Sequence, residues 1–479
     1  MTEPDRPDTD SDFPTKLSPR LRRLIPLVVA FAFLMEQVDS TVITTAIPQM
    51  AHDLGTTVLR LNLAVTTYVL TLAVFIPVSG WFADRFGARR IFAVALLIFT
   101  SSSMLCGLAD SLPELVITRI IQGFGGAMMT PVGRLILLRS FPRSELMTAM
   151  LYMSLPALIG PVIGPLIGGF LTTYVSWRWI FYINVPFGLL GIVLALKFIK
   201  ETKAEHRTRF DFPGFLLAGA GLALLQLGIE NSGRPMLPQV ATLILLAVAA
   251  LLLAAFYRHA RKHPAPAIDL SLFRLRTFRI GTLAGGLCRI GMNAVPFLLP
   301  LLLQIGLGMT PIQSGSLTFC SSLGAIAIRS VSSRGLKLFG FDRVLPVSAI
   351  AGAMLIAGFA LISPQTPHWM IACYIAVFGL ARSSQFMSSN TLSYADMPAE
   401  KLSRATSLGG VLQQLSVSFG VSTGALLLGL VSGDNGGFSL ADFTQVFPLV
   451  AIVPLLAVPG FLQLRPEDGV TVSGHRRKK

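Results

Sequence analysis

The chain has 479 residues, of which 53% are hydrophobic and 13% are charged, and its mean hydropathy is +0.67. Soluble domains carry about 25% charged residues, so this composition excludes a soluble globular protein and indicates a polytopic membrane protein. The net charge of +15 does not indicate a nucleic-acid partner, because the basic residues stand in short clusters between apolar runs.

Fourteen apolar segments are each long enough to cross the hydrocarbon core of a bilayer, which takes about 20 residues. Longer charged loops follow the sixth and the eighth segment, so we divide the chain into six, two and six helices. The prediction is an all-α polytopic membrane protein with two six-helix bundles and two inserted helices. The predicted spans are approximately 24–46, 59–82, 91–110, 114–138, 149–173, 179–200, 211–230, 239–259, 277–303, 312–333, 342–363, 368–392, 403–431 and 443–463.

This division predicts five regions. The N-terminal bundle comprises residues 20–200, the linker with the two inserted helices 201–265, and the C-terminal bundle 266–465. We expect residues 1–19 to form a disordered tail and residues 466–479 a basic tail. Two bundles of equal helix number favour a substrate site between them, near the membrane midplane.

The distribution of Lys and Arg predicts the orientation in the membrane. One set of loops carries clusters of basic residues, whereas the opposite loops hold only Arg60, Arg178 and Arg234. Because basic loops stay in the cytoplasm, we expect both termini to be cytoplasmic and the protein to lie in a bacterial plasma (inner) membrane. Residues 1–14 contain no apolar region, so we expect no cleavable signal peptide.

Three charged residues in the N-terminal bundle are predicted to lie within the membrane. Glu36 and Asp39 are three residues apart and share one face of the first helix. A rise of about 1.5 Å per residue places Asp39 and Arg119 at the same depth, so the two can pair. We predict that Glu36 or Asp39 exchanges a proton and that Arg119 holds the acid in its charged form until the two separate. A static ion pair that fixes helix packing is the structural alternative.

A charged hinge with the sequence GWFADRFGARR occupies residues 80–90, between the second and third predicted helices. Its glycines permit a tight turn, and its acid is expected to accept hydrogen bonds from a neighbouring helix N-terminus. We predict that it forms a conformational latch that makes contacts between the two halves. The latch residues are Gly80, Asp84, Arg85, Gly87 and Arg90.

The second half has arginines near the midplane but no clearly intramembrane acid. We expect Arg289 and Arg382 to face a cavity, where they could bind an anionic group or hold a polar network. Asn293 and Gln385 are candidates to line this cavity, and Met292 could provide an adaptable wall. Interhelical hydrogen bonds and core packing are the alternatives for these three residues.

Several motifs resemble one known family. The hinge at 80–90 resembles the signature loop of the major facilitator superfamily, and residues 119–126 resemble its helix-four motif. Residues 38–48 and 177–186 resemble the fourteen-helix drug:proton antiporter branch of that family. Residues 160–169 resemble the helix-five motif associated with antiporters, carried by Gly160, Gly164, Pro165, Gly168 and Gly169.

The resemblance implies a proton-coupled secondary transporter that exports small molecules, including drugs, by alternating access. It implies no enzyme activity and no cofactor, the proton being the coupling ion. Its expected partners are a small-molecule substrate, protons and the lipid bilayer. Whether a periplasmic adaptor also binds is left open. The chain has no Gly-x-x-x-x-Gly-Lys-Ser/Thr loop, which disfavours a primary pump, and its four cysteines have no paired spacing, so no metal site is expected.

Two alternatives remain open at this point. The second-half arginines favour an exporter of an organic anion or of a metal-chelating carboxylate such as citrate. A membrane sensor or scaffold that transports nothing is the alternative from another class.

Overall fold

The computed structural model describes residues 19–141, 143–202, 210–233, 237–264, 266–327, 335–398, 401–433 and 438–473. Over these ranges the protein consists of helices and connecting turns, with no strand. The fourteen principal helices are α1 (Pro19–Val42), α2 (Val58–Phe86), α3 (Ala88–Leu108), α4 (Leu112–Ser140), α5 (Arg143–Tyr174), α6 (Asn184–Phe198), α7 (Phe212–Gly233), α8 (Gln239–Lys262), α9 (Gly285–Leu301), α10 (Pro311–Ala327), α11 (Phe341–Gly358), α12 (His368–Ala395), α13 (Leu402–Ser432) and α14 (Leu440–Phe461).

The all-α membrane fold is confirmed, whereas the predicted number of fourteen spans is not. Within the described residues, twelve helices are long and apolar enough to cross a membrane. The other two predicted spans correspond to α5, of which Ile159–Tyr174 counts as a shorter apolar helix, and to α10, which has 17 described residues. The predicted tail residues 1–18 and 474–479 lie outside the described residues.

The two bundles repeat the same pattern of helix packing. In the first bundle α1 packs against α5 and α2 against α4, and in the second bundle α9 packs against α13 and α10 against α12. Two long seams join the bundles, one between α2 and α13 and one between α5 and α10. The inserted helices α7 and α8 pack against each other, and α7 also lies against α2 and α13.

The polar residues that precede two helices explain where those helices begin. The Thr57 side chain accepts a hydrogen bond from the backbone N–H of Arg60 at the start of α2, and Ser111 accepts one from Glu114 at the start of α4. Such caps satisfy backbone donors that have no partner within the helix. Helix α5 begins at Arg143, earlier than the predicted position 149, because its polar first turn carries the acid Glu145, which suits a helix N-terminus.

The hinge is almost entirely helical, which corrects the prediction of a loop. Helix α2 continues through Phe86 and α3 begins at Ala88, so Gly87 alone turns the chain. Gly87 has a φ of +101°, a conformation that favours glycine, and an added Cβ would collide with the Glu201 side chain. We call the side of the membrane that holds Gly87 the hinge side, and the side where α2 and α4 begin the far side.

Candidate functional site

A buried ion pair joins α1 to α4. Arg119 donates from Nη1 to Asp39 Oδ2 at 2.6 Å, and both side chains are completely buried. Arg119 lies seven residues into α4, about 10 Å below its far-side end at the helical rise. The structure therefore brings together the two residues whose predicted depths coincide.

Two amides complete the surroundings of the Asp39 carboxylate. Gln122 donates to Asp39 Oδ1 at 2.9 Å, and Asn184, the first residue of α6, donates to the same oxygen at 3.1 Å. Asn184 also donates to Ser103 on α3 at 3.0 Å. The carboxylate thus accepts hydrogen bonds from α4 and α6, as a buried charge requires.

The guanidinium of Arg119 makes further contacts besides its ion pair with Asp39. Its Nε donates to the backbone oxygen of Ala64 at 3.2 Å, its Nη1 also donates to Gln122 Oε1 at 2.8 Å, and its Cζ lies 4.0 Å from the centre of the Tyr68 ring. Its Nη2 is buried and has no hydrogen-bond partner. Removing Asp39 would leave this cation without a counter-charge, which costs several kcal/mol.

Glu36 lies one helical turn from Asp39 on α1 and has different contacts. Its Oε2 accepts a hydrogen bond from Thr130 on α4 at 2.5 Å, and its side chain is buried. Among the described residues Glu36 forms no ion pair, in contrast to Asp39. The two predicted proton-exchanging acids therefore have different environments, one paired with a cation and one hydrogen-bonded to a hydroxyl.

The second-half arginines lie on adjoining helices. Arg382 on α12 donates to Asn293 Oδ1 on α9 at 2.9 Å, so these two predicted residues are in contact. The Arg289 side chain is buried, its Cζ lies 5.7 Å from the centre of the Phe386 ring, and its Nε has no hydrogen-bond partner. Neither arginine forms an ion pair with any described residue.

Gln385 and Met292 do not join this group. Gln385 accepts a short hydrogen bond from Ser348 on α11, and Met292 packs so closely against α11 that a Cβ on Gly352 would meet its Cε. Both residues face the packing between α9, α11 and α12, as the packing alternative expects, and their role in a substrate cavity stays a prediction. Spacing along a helix does not reveal which side of it faces a neighbour and which faces a cavity.

The glycines of α5 form a contact surface. Added Cβ atoms on Gly160, Gly164 and Gly168 would each collide with α1, at Gln37, Thr41 and the Val42–Thr45 turn respectively. Gly169 and Pro165 lie against the start of α10 in the other half, where a Cβ on Gly169 would be 2.5 Å from the Pro311 oxygen. The predicted antiporter-motif residues thus allow α5 to pack closely against α1 in its own half and against α10 in the other half.

The latch residues make their described contacts within the first half, and the predicted contacts between the halves in one transport state stay a prediction. Asp84 pairs with the Arg139 side chain at the end of α4 at 2.5 Å, instead of capping a helix N-terminus. Arg90 and Arg89 lie 3.5 and 3.7 Å from Glu201, in the segment that follows α6. Arg85 lies over the Trp81 ring at 5.5 Å, and a Cβ on Gly80 would meet nothing within 4 Å.

One group of side chains among the described residues has the composition of a metal site. The potential ligand atoms of Asp211, His259 and His263 lie within 4.8 Å of one another, where the hinge-side ends of α7 and α8 meet. Asp211 already accepts hydrogen bonds from Gly214, His259 and Ala267, at 3.0, 2.7 and 3.2 Å. Burial raises the pKa of Asp211, but these hydrogen bonds outweigh it and hold the pKa below 3.8. Hydrogen bonds from three segments to the Asp211 carboxylate therefore explain why these side chains lie together.

Comparison with known proteins identifies the class. Residues 29–421 match the family model of the Major Facilitator Superfamily, and the chain belongs to that family. It is therefore a membrane transporter and not an enzyme, and a sensor or scaffold role is not favoured. The protein is 38% identical to a Pectobacterium atrosepticum protein and 36% identical to an Escherichia coli protein, both named as multidrug resistance protein MdtD. Each alignment covers 94% of this chain and 97% of the relative.

Solved structures agree on the fold. The protein superposes on a bacterial homologue of the human lysosomal transporter Spinster with a TM-score of 0.63 at 16% identity, over 97% of this chain and 100% of that one. It superposes on the E. coli xylose transporter XylE with a TM-score of 0.61 at 15% identity, over 94% and 98% of the two chains. The spanning helices and the bacterial relatives indicate a protein of the bacterial inner membrane.

Proposed function

We propose that the protein exports small molecules of diverse structure, including drugs, in exchange for protons, by alternating access. In this proposal the hinge side is cytoplasmic, both termini lie in the cytoplasm, and the far side is periplasmic. The observation that carries the proposal is the fully buried Asp39–Arg119 pair, because it places a carboxylate able to bind one proton at a junction of α1, α4 and α6.

The chemistry of the pair suits a proton-driven switch. While Asp39 is charged, it neutralises Arg119 and both remain buried; once Asp39 is protonated, the attraction is lost and Arg119 becomes an unpaired buried cation. A conformation that exposes Arg119 to water then becomes more favourable. Proton binding can thus shift the balance between two states of the transporter, as a coupling ion must.

The contacts between the halves support alternating access. On the far side, Gln304 donates to the Thr45 backbone oxygen at 3.0 Å, and the Ile312 backbone N–H donates to Thr173 Oγ1 at 3.1 Å. These few polar contacts between the bundles can break without disrupting either bundle. Opening there and closing at the hinge side would expose a site between the bundles to one side of the membrane at a time.

The substrate is proposed from the relatives, whose names concern multidrug resistance. These names do not favour the alternative of an exported anion or citrate chelate. Arg382 with Asn293 is then a polar contact that joins α12 to α9 in the second half.

Transport by the purified protein in liposomes tests the proposal. With an imposed pH gradient, we expect export of cationic dyes with a matching movement of protons, and no transport when the gradient is dissipated. The test panel includes organic anions and citrate chelates. Gradient-driven movement of anions alone would overturn the multidrug assignment, and the absence of movement for every member would overturn proton-coupled transport.

A further inference from the structure

The inserted helix α7 carries an acid that the mechanism above does not use. Glu230 lies three residues before the far-side end of α7. Its Oε1 accepts hydrogen bonds from Gln226 at 2.9 Å and from Ser422 on α13 at 3.0 Å. Its Oε2 is buried and has no hydrogen-bond partner. A charged carboxylate with one unsatisfied oxygen is unfavourable in such a place, whereas a neutral carboxylic acid is tolerated.

This acid lies where the two bundles meet. The Thr66 side chain on α2 is beside the Glu230 carboxyl, and Ser418 on α13 donates to the Thr66 backbone oxygen at 3.4 Å. Gln226 makes a further short hydrogen bond to Ser422. We call these five residues, from the first bundle, the second bundle and the inserted pair, the seam cluster.

The seam is apolar on the hinge side of the seam cluster. Leu70 and Ala73 of α2 pack against Val411 and Leu415 of α13, with Leu222 of α7 beside them. Water can therefore reach Glu230 more readily from the far side than through this apolar packing. We therefore expect a proton that Glu230 binds or releases to be exchanged with the far side.

No charged side chain of the described residues opposes or favours ionisation of Glu230. The groups that face it from α2, α7 and α13 are the neutral Thr66, Gln226 and Ser422. Residues 234–236, which follow α7, lie outside the described residues. Burial in the closed seam is therefore the main influence on its charge within the described part of the chain.

Helix α2 contacts both Glu230 and the Asp39–Arg119 ion pair. The Ala64 oxygen of α2 accepts a hydrogen bond from Arg119, and Thr66, two residues further on, is beside Glu230. Thr66 lies eight residues into α2 and Arg119 seven residues into α4, so these two neighbours of the acids lie about 12 and 10 Å from the far-side ends of their helices. Helix α2 is thus in contact both with the partner of Asp39 and with Glu230.

We propose that Glu230 is a second proton-binding site, separate from Asp39, whose proton is taken from the far side and closes the seam between α2 and α13. When the seam opens on the far side, water reaches the carboxylate and solvates its charge. On closure Glu230 takes one proton from hydronium in the far-side solution and re-enters the seam as a neutral acid, and the water molecule that carried the proton stays in that solution. The inserted pair thereby makes seam closure depend on the pH of the far side. The inference rests on the proposed alternating access.

The test measures seam closure directly and does not require transport. Spin labels replace Arg60 and Leu430, which are exposed at the far-side ends of α2 and α13. The background carries D39N, to remove the first proton site, and replaces Cys320 and Cys373, the free cysteines that are not buried. We expect the ratio of short to long label distances to rise as the pH falls from 8 to 6, by up to about tenfold per pH unit for one proton.

Variants of Glu230 then decide the inference. We expect E230Q, which mimics the neutral acid, to hold the short distance at every pH, and E230D to keep a pH response with a displaced midpoint. The control E467Q removes an acid that is largely exposed on the hinge side and should respond as the parent does. An E230Q protein that responds to pH like its parent overturns the inference.

A poorly folded E230Q protein would leave E230D to decide, since an unchanged E230D midpoint also overturns the inference. Different results would contradict the proposed function and the inference about Glu230. The absence of proton-coupled transport in liposomes counts against the proposed function, whereas a pH-independent seam in the parent counts only against Glu230.

Discussion

Asp39 accepts hydrogen bonds from two helices while it neutralises a cation that is itself fully buried. A buried ion pair adds little net stability, but the loss of one partner costs about 3–5 kcal/mol because the other charge is left uncompensated. Protonation of Asp39 would remove this pairing, which is the property that the proposed proton coupling requires. Glu36 has a hydroxyl as its hydrogen-bond partner and forms no salt bridge with any described residue.

We predict that D39N abolishes proton-driven export. Asparagine keeps the shape and can still accept a hydrogen bond from Asn184, but it neither neutralises Arg119 nor binds a proton. Dye export from liposomes under an imposed pH gradient should fall to the level of empty liposomes, while the elution profile stays that of folded protein.

The matched control is D110N, which removes an acid that is largely exposed on the far side and paired with Arg178. It should transport like the wild type. Undiminished, gradient-dependent export by D39N would move the proton-binding role to Glu36 or to another acid.

The contact between Arg382 and Asn293 gives a second prediction. A hydrogen bond to a charged group contributes about 1.5–3 kcal/mol, so R382Q and N293A should each lower the thermal midpoint. The double variant should lose less than the sum of the two, because both substitutions remove the same contact. Thermal melts followed by size exclusion measure this.

Export of cationic dyes by R382Q should persist. Selective loss of anion transport in the same variant would instead support the anion alternative and assign Arg382 to substrate binding.

The contacts of single residues could be predicted where their depth along the helix axis was sufficient. Constant helical rise predicts depth, so Asp39 and Arg119 could be matched across two helices. Gln122 and Asn184 were missed as ligands of Asp39, although both lie within the motif segments 119–126 and 177–186, because a neutral amide in an apolar run has no distinctive signal. The packing contacts of Met292 and Gln385 could not be predicted, because the rotation of a helix against its neighbours depends on the assembled bundle.

At the scale of single helices, the small residues of α5 determine how close α1 can come. Helix packing in membranes relies on van der Waals contact and small residues, since lipid is as apolar as the side chains. Gly160, Gly164 and Gly168 recur every four residues and therefore lie on one face, the face that contacts α1. Their role in the described structure is close packing.

We predict that G164A destabilises the protein and reduces transport. Its Cβ would collide with the Thr41 side chain on α1, and overpacking of this kind costs about 1–3 kcal/mol. The matched control is G80A, because a Cβ on Gly80 within α2 would meet nothing within 4 Å. Alanine there should leave the thermal midpoint unchanged or raise it, since glycine is unfavourable inside a helix. Equal midpoints for G164A and wild type would contradict the packing role.

The hinge shows the limit of motif-based prediction at the same scale. The sequence GWFADRFGARR was interpreted as a loop, yet helical hydrogen bonds continue up to Gly87. Its charges are neutralised by Arg139 and Glu201, which are 55 and 112 residues away along the chain. Such partners could not be inferred from the motif alone.

At the scale of the whole molecule, two seams join the bundles and the inserted pair covers one of them. Helix α7 lies against the seam of α2 and α13, while the seam of α5 and α10 has no inserted helix among its described neighbours. The two seams therefore differ in composition although the bundles repeat one packing pattern. In the proposed mechanism this asymmetry lets the inserted pair act on opening at one seam only.

Asp211 gives a prediction for the attachment of the inserted pair. Its folded-state pKa lies below 3.8 because hydrogen bonds from Gly214, His259 and Ala267 outweigh its burial. A lowered pKa contributes stability that is present above the unfolded pKa and lost as the pH falls through the folded pKa. D211N should therefore lower the thermal midpoint at pH 7, since its amide would face the donor of Ala267. The conserved-charge control is D211E, and a midpoint for D211N equal to that of the wild type would contradict the prediction.

Hydropathy and helical rise act along one dimension, so the amino-acid sequence is sufficient to predict a polytopic membrane protein, the order of its helices and the matching depths of Asp39 and Arg119. The tertiary structure decided which side chains meet. It placed Gln122 and Asn184 on Asp39, Arg139 on Asp84, and the seam cluster around Glu230. These contacts depend on how each helix is rotated and which helices are neighbours, and both follow from the packing of all helices together.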